Sequence, residues 1–355
     1  MTLTTPAPRP RVAVLFGGQS SEHGVSCLTA RNVVDAIDAE RYEVITVGIT
    51  TDGDWVEESL DWDVAPGALP HVRSDGVPFA WERLREVDVV LPLLHGPWGE
   101  DGTVQGLLEL AGVRYVGAGV LASAVAMDKP FTKTVFSAAG LPQVPYVTIT
   151  DRQWRVERDK VLARVRALGS PVFVKPARAG SSSGVTKVDD AADLPAAVEA
   201  ARGHDPKVLV EAAARNKREL EIGVLQLPDG SVRTSSVGEV RNDDASHAFY
   251  DFEAKYLDGS SANVVPADVS EQVAERVRTY AVQAFEALAC EGLARVDFFL
   301  TDTATGGLVV NEINTMPGFT SSSMFPVLWK DSGLSYPELV DHLLQVALAR
   351  PVGLR

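Results

Sequence analysis

At 355 residues, with 45% hydrophobic and 23% charged side chains, the chain is long enough for about two or three compact units and has an ordinary globular composition. A net charge of -15 argues against a nucleic-acid surface, where affinity comes from neutralising phosphates with Lys and Arg, so any phosphate site must be local. Cys27 and Cys290, the only cysteines, supply neither a disulfide framework nor a zinc pattern and fit a reducing cytoplasm. No apolar run approaches the roughly 18 residues of a membrane span.

Residues 1–10 lack the apolar core of a signal peptide and read as a disordered lead-in. Val12-Ala-Val-Leu-Phe16 is continuously apolar and ends at Gly17-Gly18, the pattern of a buried parallel strand entering a tight turn. Val25, Leu28, Val33, Val34 and Ile37 then recur at roughly helical spacing, and residues 42–49 supply the second strand of a βαβ unit. Residues 87–94 form a further strand that runs into His95-Gly-Pro-Trp-Gly-Glu-Asp-Gly102. Polar, Gly-rich loops at strand ends are where an open α/β sheet builds its site.

A second unit opens near Met127, where Asp128 can cap a helix with Pro130 in its first turn and Gly140-Leu-Pro142 stops it. Beyond it the βα alternation gives way to paired strands at 172–175, 184–188, 207–211 and 219–225, an α+β pattern. A strand within 232–241 precedes the polar segment 242–263, too long for a simple connection and so either a functional lid or disorder. A helix over about 270–290 leads to a hairpin of 293–300 and 307–315, and 336–349 closes the chain as a helix.

The hairpin carries the most chemistry. Side chains in a strand alternate faces, so Arg295 and Asp297 share one face, and Glu312 and Asn314 share one on the partner strand. Oxygen donors without Cys or His suit hard Mg2+ held against phosphate oxygens; the same residues can also form a solvated face with a structural ion pair. Lys175 stands at a strand end before Pro-Ala-Arg-Ala-Gly-Ser-Ser-Ser-Gly184. Backbone N–H groups of such a turn can cradle phosphate while the lysine supplies a point charge, and a flexible hairpin loop is the plainer outcome. Lys129, in a first helical turn, is by default a surface lysine. Glu211 and Glu219 flank a connection that can join two lobes and offer a carboxylate to a ribose, or both can be solvated. Glu22 in Ser20-Ser-Glu-His23 can serve a site or simply complement a helix dipole, and His95 can be a satisfied core histidine.

Taken in order, these segments resemble the D-alanine:D-alanine ligases of the ATP-grasp superfamily from about Arg11 to the C-terminal helix. The resemblance rests on Phe16-Gly-Gly-Gln-Ser-Ser-Glu-His23, Leu94-His-Gly-Pro-Trp-Gly-Glu-Asp-Gly-Thr-Val-Gln-Gly106, Met127-Asp-Lys129, Lys175-Pro-Ala-Arg-Ala-Gly-Ser-Ser-Ser-Gly184, Phe249-Tyr-Asp-Phe-Glu-Ala-Lys-Tyr256, Ala294-Arg-Val-Asp297 and Asn311-Glu-Ile-Asn-Thr-Met-Pro-Gly-Phe-Thr-Ser-Ser-Ser323. It implies an α/β chain with the ATP-grasp fold in a three-domain α+β architecture. A Rossmann-like parallel-sheet domain would span 11–126, a central lobe 127–225, and a C-terminal catalytic lobe 226–355 with its lid at about 242–263. It also implies ATP and two Mg2+ (or Mn2+) ions, two molecules of D-alanine and a homodimer, while the charge and the absence of a long apolar run point to no nucleic-acid or membrane partner.

On the same resemblance Lys129, Lys175 and Ser182 would hold ATP phosphates, while Glu211, the hinge backbone and Glu219 would hold adenine and ribose. Asp297, Glu312 and Asn314 would bind the metal ions. Glu22 would accept the ammonium of the first D-alanine with His95 close by, and its link to Ser181 and Tyr256 would tie the amino-terminal domain to the lid. Lys255 and Ser323 would receive the carboxylate of the second D-alanine, and Arg295 with the Gly318 N–H would form the oxyanion site. ATP would activate the first carboxylate as an acyl phosphate for attack by the second amine, and excluding water from that intermediate is a physical reason for a lid.

Two positions depart from the family pattern. Gly24 stands where relatives often carry an acidic or other residue, which bears on helix geometry beside Glu22, and the connection between Glu211 and Glu219 looks longer than usual, which bears on the adenine contacts. A D-alanine:D-lactate or D-alanine:D-serine ligase would share this core, but Glu253-Ala-Lys-Tyr256 looks like the dipeptide-forming lid. Another ATP-grasp ligase would not need the Glu22 and His95 loops. A non-catalytic nucleotide-binding regulator should have lost at least one of Arg295, Asp297, Glu312 or Asn314, and all four are present.

Overall fold

The structure is a computed structural model that describes residues 8–65, 68–180, 183–242, 261–302 and 307–353. Its strands form three sheets. The first contains β1 (Arg11–Gly17), β2 (Glu43–Ile49), β3 (Trp55–Glu57), β4 (Val77–Pro78), β5 (Val89–Pro92) and β6 (Arg114–Tyr115), in the order β4-β3-β2-β1-β5-β6. As its unbroken apolar run requires, β1 is central, pairs in parallel with both β2 and β5, and buries Val12 through Phe16 completely. Helices His23–Ala36 and Tyr336–Ala349 pack with this sheet in one core, and Tyr42 Oη donates to Asp341 Oδ1 at 2.6 Å, so both ends of the chain build the same layer. Gly24 has a packing reason there: a Cβ would lie 2.5 Å from Leu69 Cβ. Cys27 and Cys290 are buried free thiols.

The second sheet contains β7 (Tyr146–Ile149), β8 (Val172–Pro176), β9 (Thr186–Val188) and β10 (Val208–Ala212), antiparallel in the order β7-β10-β8-β9. Helices Arg158–Arg166 and Leu194–Arg202 bury Val161, Leu162, Val165, Ala197, Val198 and Ala201 against it.

The third sheet contains β11 (Arg218–Gln226), β12 (Val232–Asn242), β13 (Ser261–Val264), β14 (Leu293–Leu300) and β15 (Leu308–Asn314), in the order β13-β12-β11-β14-β15. β11, grouped by sequence with the strands before it, hydrogen-bonds instead to β12 and β14. Of the segment read as a lid or disorder, 261–263 belong to β13, while 243–260 lie outside the described residues, as does most of the expected lead-in. β14 alternates as its sequence predicts: Ala294, Val296 and Phe298 join the core under helix Glu271–Ala287, and Arg295 and Asp297 take the opposite face. Ser270 caps that helix by accepting from the Val273 N–H.

Candidate active site

A cleft of about 510 Å3 receives residues from all three sheets or their loops. Every sequence candidate among the described residues lines it: Glu22, His95, Lys129, Lys175, Glu211, Glu219, Arg295, Asp297, Glu312, Asn314, Gly318 and Ser323. Ser181, Ser182, Lys255 and Tyr256 lie outside the described residues.

One wall is cationic. Asp128 caps helix Lys129–Ala138 by accepting from the Phe131 N–H and pairs with Lys207, which anchors the first turn. Lys129 Nζ then reaches the Ala179 carbonyl at 2.9 Å, beside the Gly and Ser-rich loop. One turn on, the buried Lys133 places its Nζ 2.6 Å from Glu211 Oε1, while Lys175 Nζ lies 2.6 Å from Glu211 Oε2. Burial pushes the Glu211 carboxyl up, but Lys175 and Lys133 together outweigh it and hold the value down at about 2. Burial likewise opposes the charge of Lys175, yet Glu211, Glu312 and Glu219 raise it above the usual lysine range. Two ammonium groups share one carboxylate, so this wall keeps a positive charge in excess where water is scarce, which suits phosphate. The Glu211 side chain is thus engaged by lysines, whereas Glu219 is only part-buried and pairs with Lys217 at 2.7 Å. Lys133 escaped the sequence analysis; its signal was the four-residue spacing from Lys129 on a helix that also buries Thr132 and Phe136.

Another part of the lining is acidic. The register of β14 with β15 sets Asp297 opposite Glu312 and Arg295 opposite Asn314. Arg295 donates from Nε and Nη2 to the two oxygens of Asp297 at 2.7 and 2.8 Å, and Asn314 Nδ2 donates to Asp297 Oδ2 at 3.2 Å. Burial disfavours the Arg295 charge, but Asp297, Glu221 and Glu312 keep it well above its ordinary value. Glu221, two residues beyond Glu219 on the same face of β11, was also missed, although that period-two spacing pointed to it. Among the described residues no three acidic, His or Cys side chains converge tightly enough to hold an ion; Asp297 is turned to Arg295. The donor set of Asp297, Glu312 and the Asn314 amide nevertheless fits a hard divalent cation in kind, being all oxygen.

Loops of the first sheet close one end. Ser20 Oγ donates to the His95 carbonyl at 2.7 Å, and Ser26 Oγ donates to the Leu93 carbonyl at 2.6 Å, joining the ends of β1 and β5. The Glu22 side chain makes no cap bond to its helix. It lies instead under two glycines, where a Cβ on Gly180 would come within 2.4 Å of Oε2 and one on Gly96 within 2.8 Å. His95 Nδ1 donates to the Met316 carbonyl at 3.2 Å, and its Nε2 is buried without a hydrogen-bond partner. Burial lowers the His95 pKa despite the pull of Glu22, so the ring is neutral. At the other end of the Met316 loop, Thr320 N–H donates to Ser323 Oγ at 3.1 Å, placing Ser323 at the start of helix Met324–Asp331.

Glu100 is a further residue unrecognised in the sequence. It accepts from the Gly96 N–H at 2.6 Å, and burial followed by the nearby Glu22 pushes its carboxyl up to about 8 from an ordinary 4.5. The fold therefore binds this proton more tightly than the unfolded chain does. The associated stability is fully present below about pH 4.5 and lost as pH rises through about 8. Glu100→Gln, which mimics the protonated form, should gain stability relative to wild type across that window, by on the order of 1.4 kcal/mol per pH unit. Denaturant melts at both ends of the window check this, and parallel pH dependence in the two proteins would show that Glu100 ionises normally.

Comparison with known proteins gives the family. The profile described as D-ala D-ala ligase N-terminus matches residues 11–118, and that described as D-ala D-ala ligase C-terminus matches residues 135–345. The D-alanine--D-alanine ligase of Paenarthrobacter aurescens is 52% identical over 98% of this chain and 97% of its own length. Among solved structures, a D-Ala:D-Ser ligase from Enterococcus faecalis aligns with a TM-score of 0.81 and 34% identity, covering 96% of this chain and 100% of that one. The D-alanine-D-alanine ligase from Coxiella burnetii aligns with a TM-score of 0.77 and 33% identity, covering 96% and 94%. The expected ATP-grasp fold follows, and with both profiles matched in order and one cleft collecting their residues, the chain belongs to the D-alanine:D-alanine ligase family.

Proposed function

We propose that this enzyme uses ATP to join two D-alanine molecules into D-alanyl-D-alanine through a D-alanyl phosphate, for peptidoglycan precursor synthesis in the cytoplasm. The observation that carries the reading is one cleft lined both by Lys129, Lys133 and Lys175 and by Asp297 and Glu312, with Arg295 among the acids.

Lys129 and Lys175, with Ser182, bind the ATP phosphates, while Glu219 and the hinge backbone take ribose and adenine. Glu211 acts through the lysines it pairs with. Asp297, Glu312 and Asn314 would hold two Mg2+ (or Mn2+) ions, which would supply neutralisation of the phosphate oxygens. Glu22 accepts the ammonium of the first D-alanine beside neutral His95, and Ser181 and Tyr256 are the partners through which it would join the first unit to the lid. Lys255, Ser323 and the helix start behind Ser323 receive the second carboxylate. As the second amine attacks, Arg295 and the Gly318 N–H stabilise the oxyanion.

Three units divide this work: 11–126 presents the first-substrate loops, the lobe from 127 presents the lysines, and the lobe that begins with β11 presents the acids. We also propose a homodimer. Leu110 and Leu121 are 81% and 63% exposed on contacting helices Thr103–Ala111 and Val120–Met127, an apolar face that a second copy would cover. Sedimentation as a 38.0 kDa species would refute it. The net charge of -15 disfavours nucleic acid, and no helix among the described residues is long and apolar enough to cross a membrane.

The product decides the acceptor. Offered ATP with D-alanine alone, with added D-lactate and with added D-serine, the enzyme should yield D-alanyl-D-alanine in all three mixtures. A predominant mixed product at neutral pH, identified by mass, would establish a D-alanine:D-lactate or D-alanine:D-serine ligase instead.

A further inference from the structure

Arg295 stands between two carboxylates that compete for one hydrogen. Its Nε–H donates to Asp297 Oδ1 at 2.7 Å and its Nη2 to Oδ2 at 2.8 Å, a bidentate fork. Glu221 Oε2 lies 3.0 Å from the same Nε. The pairing of β11 with β14 sets Glu221 opposite Asp297, and that of β14 with β15 sets Asp297 opposite Glu312, so three carboxylates stand in one row across the sheet. The Arg295 and Glu221 side chains are only 12% and 10% exposed, so either charge would be costly to leave without the other. No step assigned above uses Glu221.

The inference rests on the reading of Asp297 as a metal ligand. A carboxylate that turns toward a hard cation gives up part of its arginine fork, because the cation and the guanidinium compete for the charge of the same oxygens. We infer that Glu221 is a positioning residue that takes over the Nε–H of Arg295 when Asp297 turns to a divalent cation, holding the guanidinium at the oxyanion site. The exchange requires little movement, because Glu221 already stands within hydrogen-bond distance of that nitrogen. Without the Glu221 charge, Arg295 loses the second carboxylate within reach of its Nε, and cation binding weakens the fork without that replacement.

The test is Mn2+ binding to the full chain in the presence of ADP, read from the electron paramagnetic resonance of free Mn2+. The proteins are wild type, Asp297→Asn, Glu221→Gln, Arg295→Gln and the double variant Glu221→Gln with Arg295→Gln. Glu221→Gln should weaken Mn2+ binding about tenfold when Arg295 is present and far less when it is replaced. Equal weakening in both backgrounds would make Glu221 a ligand or a background charge, and no weakening would make it idle; either overturns the inference. Wild-type binding by Asp297→Asn would instead overturn the underlying metal reading. Should an Arg295 variant fail to fold, the 15N-attached Nε proton of Arg295 supplies a second readout. With Mg2+ and ADP bound it should stay protected from solvent exchange in wild type and lose protection in Glu221→Gln, and equal protection in the two would overturn the proposal.

Discussion

Asp297→Asn should leave the protein folded and lower ADP release at saturating ATP and ordinary magnesium by roughly 10²- to 10³-fold, the scale of losing one preorganised electrostatic contact to a developing charge. The substitution keeps the shape of the side chain and removes a negative oxygen opposite Glu312, in the row of acids that lines the same cleft as the lysines. The fold tolerates the change because Arg295 keeps Glu221 as a carboxylate partner. A coupled assay for ADP alongside a thermal melt separates the two effects. Near-normal ADP release from a folded variant would remove Asp297 from the metal site.

Glu211→Gln should have the largest effect on stability. It leaves the buried Lys133 and the part-buried Lys175 with no carboxylate between them, and breaking a buried pair from one side costs about 3–5 kcal/mol. Because the wild-type carboxyl is depressed from 4.5 to about 2, its contribution is fully present above about pH 4.5 and lost as pH falls through about 2. The gap between wild type and variant should therefore narrow over that acid window and stay constant above it. Replacing Lys133 with Met in the same chain should restore part of the loss by removing one of the stranded charges. Denaturant melts across pH measure all three, and a Glu211→Gln protein as stable as wild type near pH 7 would mean that the two lysines are hydrated.

Much of the site could be read from sequence because its chemistry lies on strands, where alternation states which side chains share a face. Arg295 with Asp297 and Glu312 with Asn314 follow from that rule alone, and their register across the hairpin agrees with it. The continuous apolar run of β1 was equally explicit about burial. Alternation does not say which strand lies alongside, so β11 was grouped with β10 rather than with β14. β7 escaped because it is four residues long between Pro145 and the helix cap Thr150, and helix Arg158–Arg166 carries five Arg, Lys or Asp side chains around three buried ones. Lys133, Glu100 and Glu221 were hidden for another reason. Each looks like a surface charge until a partner distant in sequence, such as Glu211 for Lys133 or Arg295 for Glu221, is brought to it by the fold.

The proposed reaction activates a carboxylate as an acyl phosphate before the amide forms, and the path of one oxygen tests that directly. D-Alanine labelled with 18O in its carboxylate, incubated with ATP, magnesium and the enzyme, should transfer label to inorganic phosphate, because the carboxylate oxygen bonded to phosphorus leaves with it when the amine attacks. Mass analysis should find labelled phosphate in step with D-alanyl-D-alanine. Accumulation of the dipeptide with phosphate free of 18O would contradict the account.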